Sequence, residues 1–268
     1  MTPEQPRRPK RHELPELSEH LVTDHTVYSC VMGSRAFGLA TEDSDSDVRG
    51  VYLAPTPLFW RFAKPPTHVE GRWGLPCSNE VESLGNDEQF SWELERFCEL
   101  ALRSNPNVLE CLHSPLVERI DDTGRELLAL REAFLSRQAE QSFTRYALGR
   151  RKRLDADVRL HGAPRWKHAM HLLRLLMSCR DLLRTGVLTI DVGAERDRLL
   201  AVKRGEVSWP EVESWMARLA AESERAAARS PLAPEPDRAR VADFLFRVRR
   251  ESALKADEPS AARSSLNS

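Results

Sequence analysis

Two short features of the chain carry residue types suited to phosphate and metal chemistry. Gly33-Ser34 follows the apolar run "TVYSCVM" (Thr26–Met32), and further on Asp45 and Asp47 flank Ser46 ahead of "DVRGVYLA" (Asp47–Ala54). A glycine lets backbone approach a ligand closely, and the free N–H groups at a helix start bind phosphate oxygens. The Ser34 hydroxyl adds a further donor. Carboxylates at i and i+2 of an extended chain share one face, where they repel each other unless water or a cation compensates them. Hard oxygen ligands on one side and phosphate donors on the other form a cradle for a Mg2+-nucleotide. The plain alternative is an Asx-rich turn between two strands.

A second set of polar residues lies on a segment that is otherwise apolar. Lys167, His171, Arg174 and Ser178 recur at i, i+4, i+7 and i+11 among Met170, Leu172, Leu173, Leu175, Leu176 and Met177. Such a stripe on a core-facing helix either faces a cleft and binds phosphates or forms a solvated edge with His171 satisfied by a neighbour. "YALGRRKRL" (Tyr146–Leu154) is a further basic segment whose charges surround the helix, so most must meet solvent; they can track a nucleic-acid backbone or stay solvated. Arg35 and Arg49 flank the acidic motif and can pair with Asp43, Asp45 or Asp47, and Arg35 is also a candidate phosphate contact. Glu93 and Glu110 read as helix caps or braces, and Trp92, Trp166, Trp209 and Trp215 as core or interface anchors rather than base-stacking platforms.

The elements that must hold these residues follow from periodicity and punctuation. Thr26–Met32 and Asp47–Ala54 read as strands, with a weaker strand in Cys77–Gly85. A short helix is expected over Glu13–Asp24, and Leu94, Phe97, Cys98 and Ala101 fall at helical spacing. Asn105-Pro106 reads as an N-cap and first helical residue, starting a helix through Leu112. Beyond "HSP" (His113–Pro115) the strand signal nearly disappears, and helices are expected at about 122–136, 138–155, 165–185, 194–204, 209–229 and 237–254, with Gly186 and Gly205 as stops. The layout is a basic, disordered tail over 1–12, a mixed α/β part over 13–115, a helical part over 116–254 and a small, polar tail over 255–268.

Bulk properties narrow the classes. With 268 residues the chain can bury one large core or two smaller ones, and its formal charge of −1 supplies no global field for nucleic acid or membrane. The five cysteines (Cys30, Cys77, Cys98, Cys111, Cys179) contain no C-x-x-C pair, so neither a disulfide framework nor a zinc site is indicated. No leader and no membrane-spanning run is evident, and a reduced, cytoplasmic, soluble protein is expected.

The order G-S then D-x-D resembles the signature of the DNA polymerase beta-like nucleotidyltransferase superfamily. The longer match resembles the group of predicted nucleotidyltransferases associated with RNA ligase and RNA repair. Four stretches carry it: "GSRAFGLATEDSDSDVRGVY" (33–52), "WELERFCELALRSNPNVLECLHSP" (92–115), "KHAMHLLRLLMSCRDLLRTG" (167–186) and "LLAVKRGE" (199–206). The resemblance implies an α+β fold: a mixed-sheet nucleotidyltransferase core followed by an all-helical domain. It implies that Asp45 and Asp47 hold two divalent ions, Mg2+ or Mn2+, and that Gly33 and Ser34 form the triphosphate-binding turn. Counting back from "WELERF", the third metal-binding carboxylate falls on Glu88, favoured over the adjacent Asp87. It favours the cleft-facing reading of Lys167, His171 and Arg174. The implied enzyme transfers NMP from an NTP to a hydroxyl acceptor with release of pyrophosphate. The candidate acceptor is an RNA end and the candidate partner an RNA ligase, with no membrane involved. The alternatives are AMP transfer to a protein or small molecule, and a nucleotide sensor without turnover.

Overall fold

The computed structural model describes residues 20–42, 44–71 and 89–257. The expected tail over 1–12, most of the Glu13–Asp24 helix (apart from a helical stretch at 20–25), the expected strand over Cys77–Gly85 and the expected tail from 258 on lie outside these residues, whereas 255–257, expected in that tail, continue the last helix.

Five strands form one mixed sheet: β1 (Thr26–Met32), β2 (Asp47–Tyr52), β3 (His68–Gly71), β4 (Gln89–Glu93) and β5 (Val117–Ile120), in spatial order β3-β4-β2-β1-β5. β1 is rich in β-branched and aromatic residues and is buried along its whole length, as a central strand covered on both faces should be. It pairs antiparallel with β2 and β5, while β2 runs parallel to β4 and β3 antiparallel to β4. β5 therefore carries the sheet beyond residue 115, into the stretch expected to be helical. Its residues alternate between exposed and half-buried, so the edge strand shows no apolar alternation that a sequence pattern would register.

The helices are α1 (Gly33–Ala36), α2 (Leu94–Leu102), α3 (Pro106–Leu112), α4 (Asp122–Ala129), α5 (Ala139–His161), α6 (Trp166–Thr185), α7 (Arg196–Arg204), α8 (Trp209–Ala227) and α9 (Arg238–Asp257). α2 buries Leu94, Phe97, Cys98 and Ala101 and is capped by the Glu93 carboxylate, which accepts from the Glu95 N–H at 2.8 Å. α3 starts at the Asn105 cap, whose Oδ1 accepts from the Asn107 N–H at 3.0 Å. α6 and α7 end where Gly186 and Gly205 follow, and α8 opens with a capping box between Ser208 and Glu211.

One continuous core runs from the sheet (Tyr28, Met32, Val51) through α2 and α3 (Phe97, Leu109) into α6 and α8 (Leu173, Leu182, Leu219). A smaller cluster of Leu21, Val22, Tyr52, Ala54 and Val69 is separate from it. The last helix is fastened back onto the sheet part. Arg249 of α9 donates to the buried Glu93 carboxylate at 2.6 Å and to the Ala54 carbonyl at 3.0 Å. The helical half and the sheet half are thus joined by apolar packing and by a largely desolvated ion pair, and α6 meets the residue after α1 where the Arg174 guanidinium lies over the Phe37 ring. Among the described residues no helix is long and apolar enough to cross a membrane.

Candidate active site

The site begins at the corner between β1 and β2. Antiparallel pairing sets Met32 opposite Asp47, so the residue that leaves β1 meets the residue that opens β2. Gly33 stands at φ +71°, and a Cβ there would lie 2.2 Å from Asp47 Oδ2. A side chain at 33 would both strain the backbone and push the carboxylate away, so glycine is what lets the turn close onto Asp47. Asp47 is half-buried, and its nearest cation is Arg49, with Nη2 3.8 Å from Oδ1. Ser34 is half-buried on the single-turn α1. Arg35 is exposed and donates to the Ser44 carbonyl at 3.0 Å, tying α1 to the acidic loop. Asp45 lies in that loop just before β2, exposed to solvent.

The segment after α1 is braced from the helical half. Arg196 donates to the Gly38 carbonyl at 3.1 Å and the Ala40 carbonyl at 2.9 Å, and the Val192 N–H donates to the Phe37 carbonyl at 3.1 Å. Three residues ahead of "LLAVKRGE" (199–206), Arg196 thus braces the segment that follows the Gly-Ser turn, a role the sequence did not disclose.

Opposite the corner, α5 and α6 close a cavity of about 600 Å³. Gly33 and Asp47 line one side; Lys167, His171 and Arg174 line the other. Ser34, Arg35 and Asp45 are not among its lining residues. Ser178, the last member of the stripe, is buried and donates to the Thr189 carbonyl at 3.4 Å. The structure adds Arg150, Tyr146 and His168 to the wall. Arg150 donates to the Tyr146 hydroxyl at 2.6 Å and lies over its ring at 5.1 Å, so part of the basic run near residue 150 faces the cavity.

The stripe is chemically differentiated. Arg174 is 5% exposed and grips the buried Glu110 with two bonds, Nη1 to Oε1 at 2.8 Å and Nη2 to Oε2 at 3.1 Å. Its guanidinium also lies over the Phe37 ring at 3.6 Å, while its Nε has no hydrogen-bond partner among the described residues. Glu110 is thus the brace for the cleft arginine. Burial, with Arg174 and Lys167 next to it, holds His171 down to about 3, so its imidazole is neutral. The two carboxylates on the cavity wall, Asp47 and Glu110, face Arg49 and Arg174. Lys167 and Arg150 have no carboxylate partner among the described residues, so this wall carries cations open to an anionic ligand.

Asp45 and Asp47 suit hard cations. Asp47 has only a long contact to Arg49, and no ion pair engages Asp45 among the described residues. No group of three metal-ligating side chains stands together among the described residues, and Glu88 and Asp87 lie outside them.

The corner at Gly33 thus closes on Asp47 at one end of a mixed sheet, and cations from the helical half face it across the cavity. The chain belongs to the RNA repair pathway DNA polymerase beta family, whose pattern matches residues 9–247. It is similar to the "Uncharacterized protein YcgL" of Bacillus subtilis (strain 168), with 28% identity over 164 residues, 60% of this chain. The chain spans 58% of the length of that relative over the match. It is also similar to the crystal structure of a nucleotidyltransferase-like protein from Exiguobacterium sibiricum 255-15. There the identity is 14% and the TM-score 0.31, over 87% of this chain and 77% of that one.

Proposed function

We propose that this chain is a metal-dependent nucleotidyltransferase that moves NMP from an NTP to a hydroxyl acceptor, an RNA end, and releases pyrophosphate. The observation that carries this reading is one cavity with the Gly33–Asp47 corner on one side and Lys167, His171 and Arg174 on the other. Family membership supports it.

Asp45, Asp47 and Glu88 are the residues to hold the divalent ions, Mg2+ or Mn2+. Glu88 is covalently next to Gln89, which pairs with Val48, the residue after Asp47. For Asp45 to join, the loop ahead of β2 turns its carboxylate toward Asp47. When bound, two such ions compensate the charge on the attacking and leaving oxygens of an in-line displacement at the α-phosphate. The chain's own groups do the rest. The backbone at Gly33 donates to phosphate oxygens, the Ser34 hydroxyl joins it once the side chain turns toward the cavity, and Lys167 and Arg150 neutralise the triphosphate. Glu110 and Phe37 keep the Arg174 guanidinium plane fixed, so its charge is held at the cavity wall facing the bound nucleotide. His171, being neutral, accepts or donates one bond without adding charge.

Pyrophosphate release from each NTP with Mg2+ tests the reading, with Asp47→Asn as control. Release by the wild type alone supports it; equal release by both rules out Asp47 as a metal ligand. An RNA ligase remains the candidate partner.

A further inference from the structure

Another part of the cavity lining is of a different kind. β4 buries its polar residues Gln89, Ser91 and Glu93 and leaves its aromatics Phe90 and Trp92 half open, both lining the cavity. That is the reverse of what burial energy selects in a strand with one covered face. The two rings lie 4.6 Å apart, tilted by 55°, and the exposed His68 ring stacks on Phe90 at 5.4 Å, extending the aromatic surface. Beside them the α3 start brings Asn105 and Asn107 to the same cavity. The Asn105 oxygen is used by the cap, and the side-chain amide of Asn107 has no hydrogen bond among the described residues. Register ties this end to the chemistry: Phe90 pairs with Arg49, two residues after Asp47, so Phe90 stands roughly 8 Å from Asp47 across the same sheet face.

We propose that this aromatic and amide end binds a nucleobase, with Phe90 and Trp92 as the stacking wall and Asn107 contacting the base edge. The inference rests on the proposed nucleotidyl transfer, because it deepens the same site. Half-open aromatics next to a phosphate-binding corner supply the sequence-tolerant stacking that bases of any identity accept. An amide with a free donor and acceptor matches a base edge. The base comes either from the NTP or from the terminal nucleotide of an RNA acceptor, and the two sources are separable.

The test measures dissociation constants of the full chain with Mg2+ for four probes. These are ATP, tripolyphosphate, an RNA oligonucleotide, and the same oligonucleotide with an abasic terminal residue. Phe90→Ala is expected to weaken binding of one base-bearing probe by about 5- to 150-fold, the range of a lost stack. Tripolyphosphate and the abasic strand should bind unchanged. Phe90→Tyr, which keeps the ring, should restore binding, and thermal unfolding checks that both variants fold. A loss on ATP assigns the base to the nucleotide; a loss on RNA assigns it to the acceptor. Equal affinity of wild type and Phe90→Ala for both base-bearing probes overturns the inference, while retained tripolyphosphate binding would leave the phosphate site standing. Absence of tripolyphosphate binding in the wild type would instead refute the phosphate site itself.

Discussion

Gly33→Ala offers a quantitative test of the β1–β2 corner. Two costs are expected. The first is backbone strain, since φ is +71° and a left-handed conformation costs an alanine about 1–2 kcal/mol. The second is overlap with Asp47, whose Oδ2 would stand 2.2 Å from the new Cβ. The carboxylate must retreat by about 1 Å to reach ordinary contact, an off-rotamer cost of about 0.5–1.5 kcal/mol. Asp47→Ala removes the overlapping atoms and leaves only a Cβ at 3.4 Å, which is ordinary contact. In that background Gly33→Ala should show the backbone cost alone, so the two substitutions should couple by about 0.5–1.5 kcal/mol. Urea unfolding of the four proteins measures this directly. The same displacement should reduce nucleotidyl transfer by about 100-fold, as expected for a group moved by about 1 Å. An identical destabilisation in both backgrounds would refute the close approach of Gly33 to Asp47.

Three further outcomes are expected. Glu110→Ala leaves the buried Arg174 charge without its partner and should cost about 3–5 kcal/mol, whereas Glu110→Leu with Arg174→Leu should recover much of that loss, both read by urea unfolding. His171 is held to about 3 when folded against 6.5 ordinarily, so its contribution is complete above pH 6.5 and is lost as pH falls toward 3. His171→Gln should therefore lose less stability than the wild type between neutral pH and about pH 4.5; an identical acid loss would count against the buried neutral imidazole. Lys167 is exposed at the cavity wall and pairs with no carboxylate among the described residues, so Lys167→Ala should raise the KM for NTP by about tenfold with little change in Tm.

What the sequence disclosed depended on whether burial and chemistry left a local trace. β1 and β2 were legible because Thr26–Met32 and Asp47–Tyr52 combine β-formers with apolar runs. α2 and α3 were legible because their buried positions and the Asn105-Pro106 cap follow helical rules. β4 was not, because its buried positions are Gln, Ser and Glu and its aromatics face the cavity. β3 and β5 are edge strands of four residues with polar alternation, too short for a pattern. In the candidate site, the chain spacing pointed to Gly33 and Asp47, and the Met32–Asp47 pairing brings them into contact. The stripe through Lys167, His171 and Arg174 was visible as polar residues on an apolar helix. Its pairing with Glu110, the bracing by Arg196 and the entry of Arg150 and Trp92 into the cavity are long-range contacts with no local signal. Trp92, expected as an anchor rather than a base-stacking platform, packs edge-on against Phe97 while its remaining surface lines the cavity, where the proposed base site uses it.

The most direct measurement is transfer of label from NTP carrying a radioactive α-phosphate to a panel of RNA ends, with Mg2+ or Mn2+ and with Asp45→Asn and Asp47→Asn beside the wild type. Labelled RNA is expected from the wild type alone, lost on chelation of the metal, with both variants folded and near wild-type stability. Labelling of protein in place of RNA would contradict the acceptor, and undiminished transfer by both variants would contradict the metal-bound Asp45–Asp47 site at the centre of the mechanism.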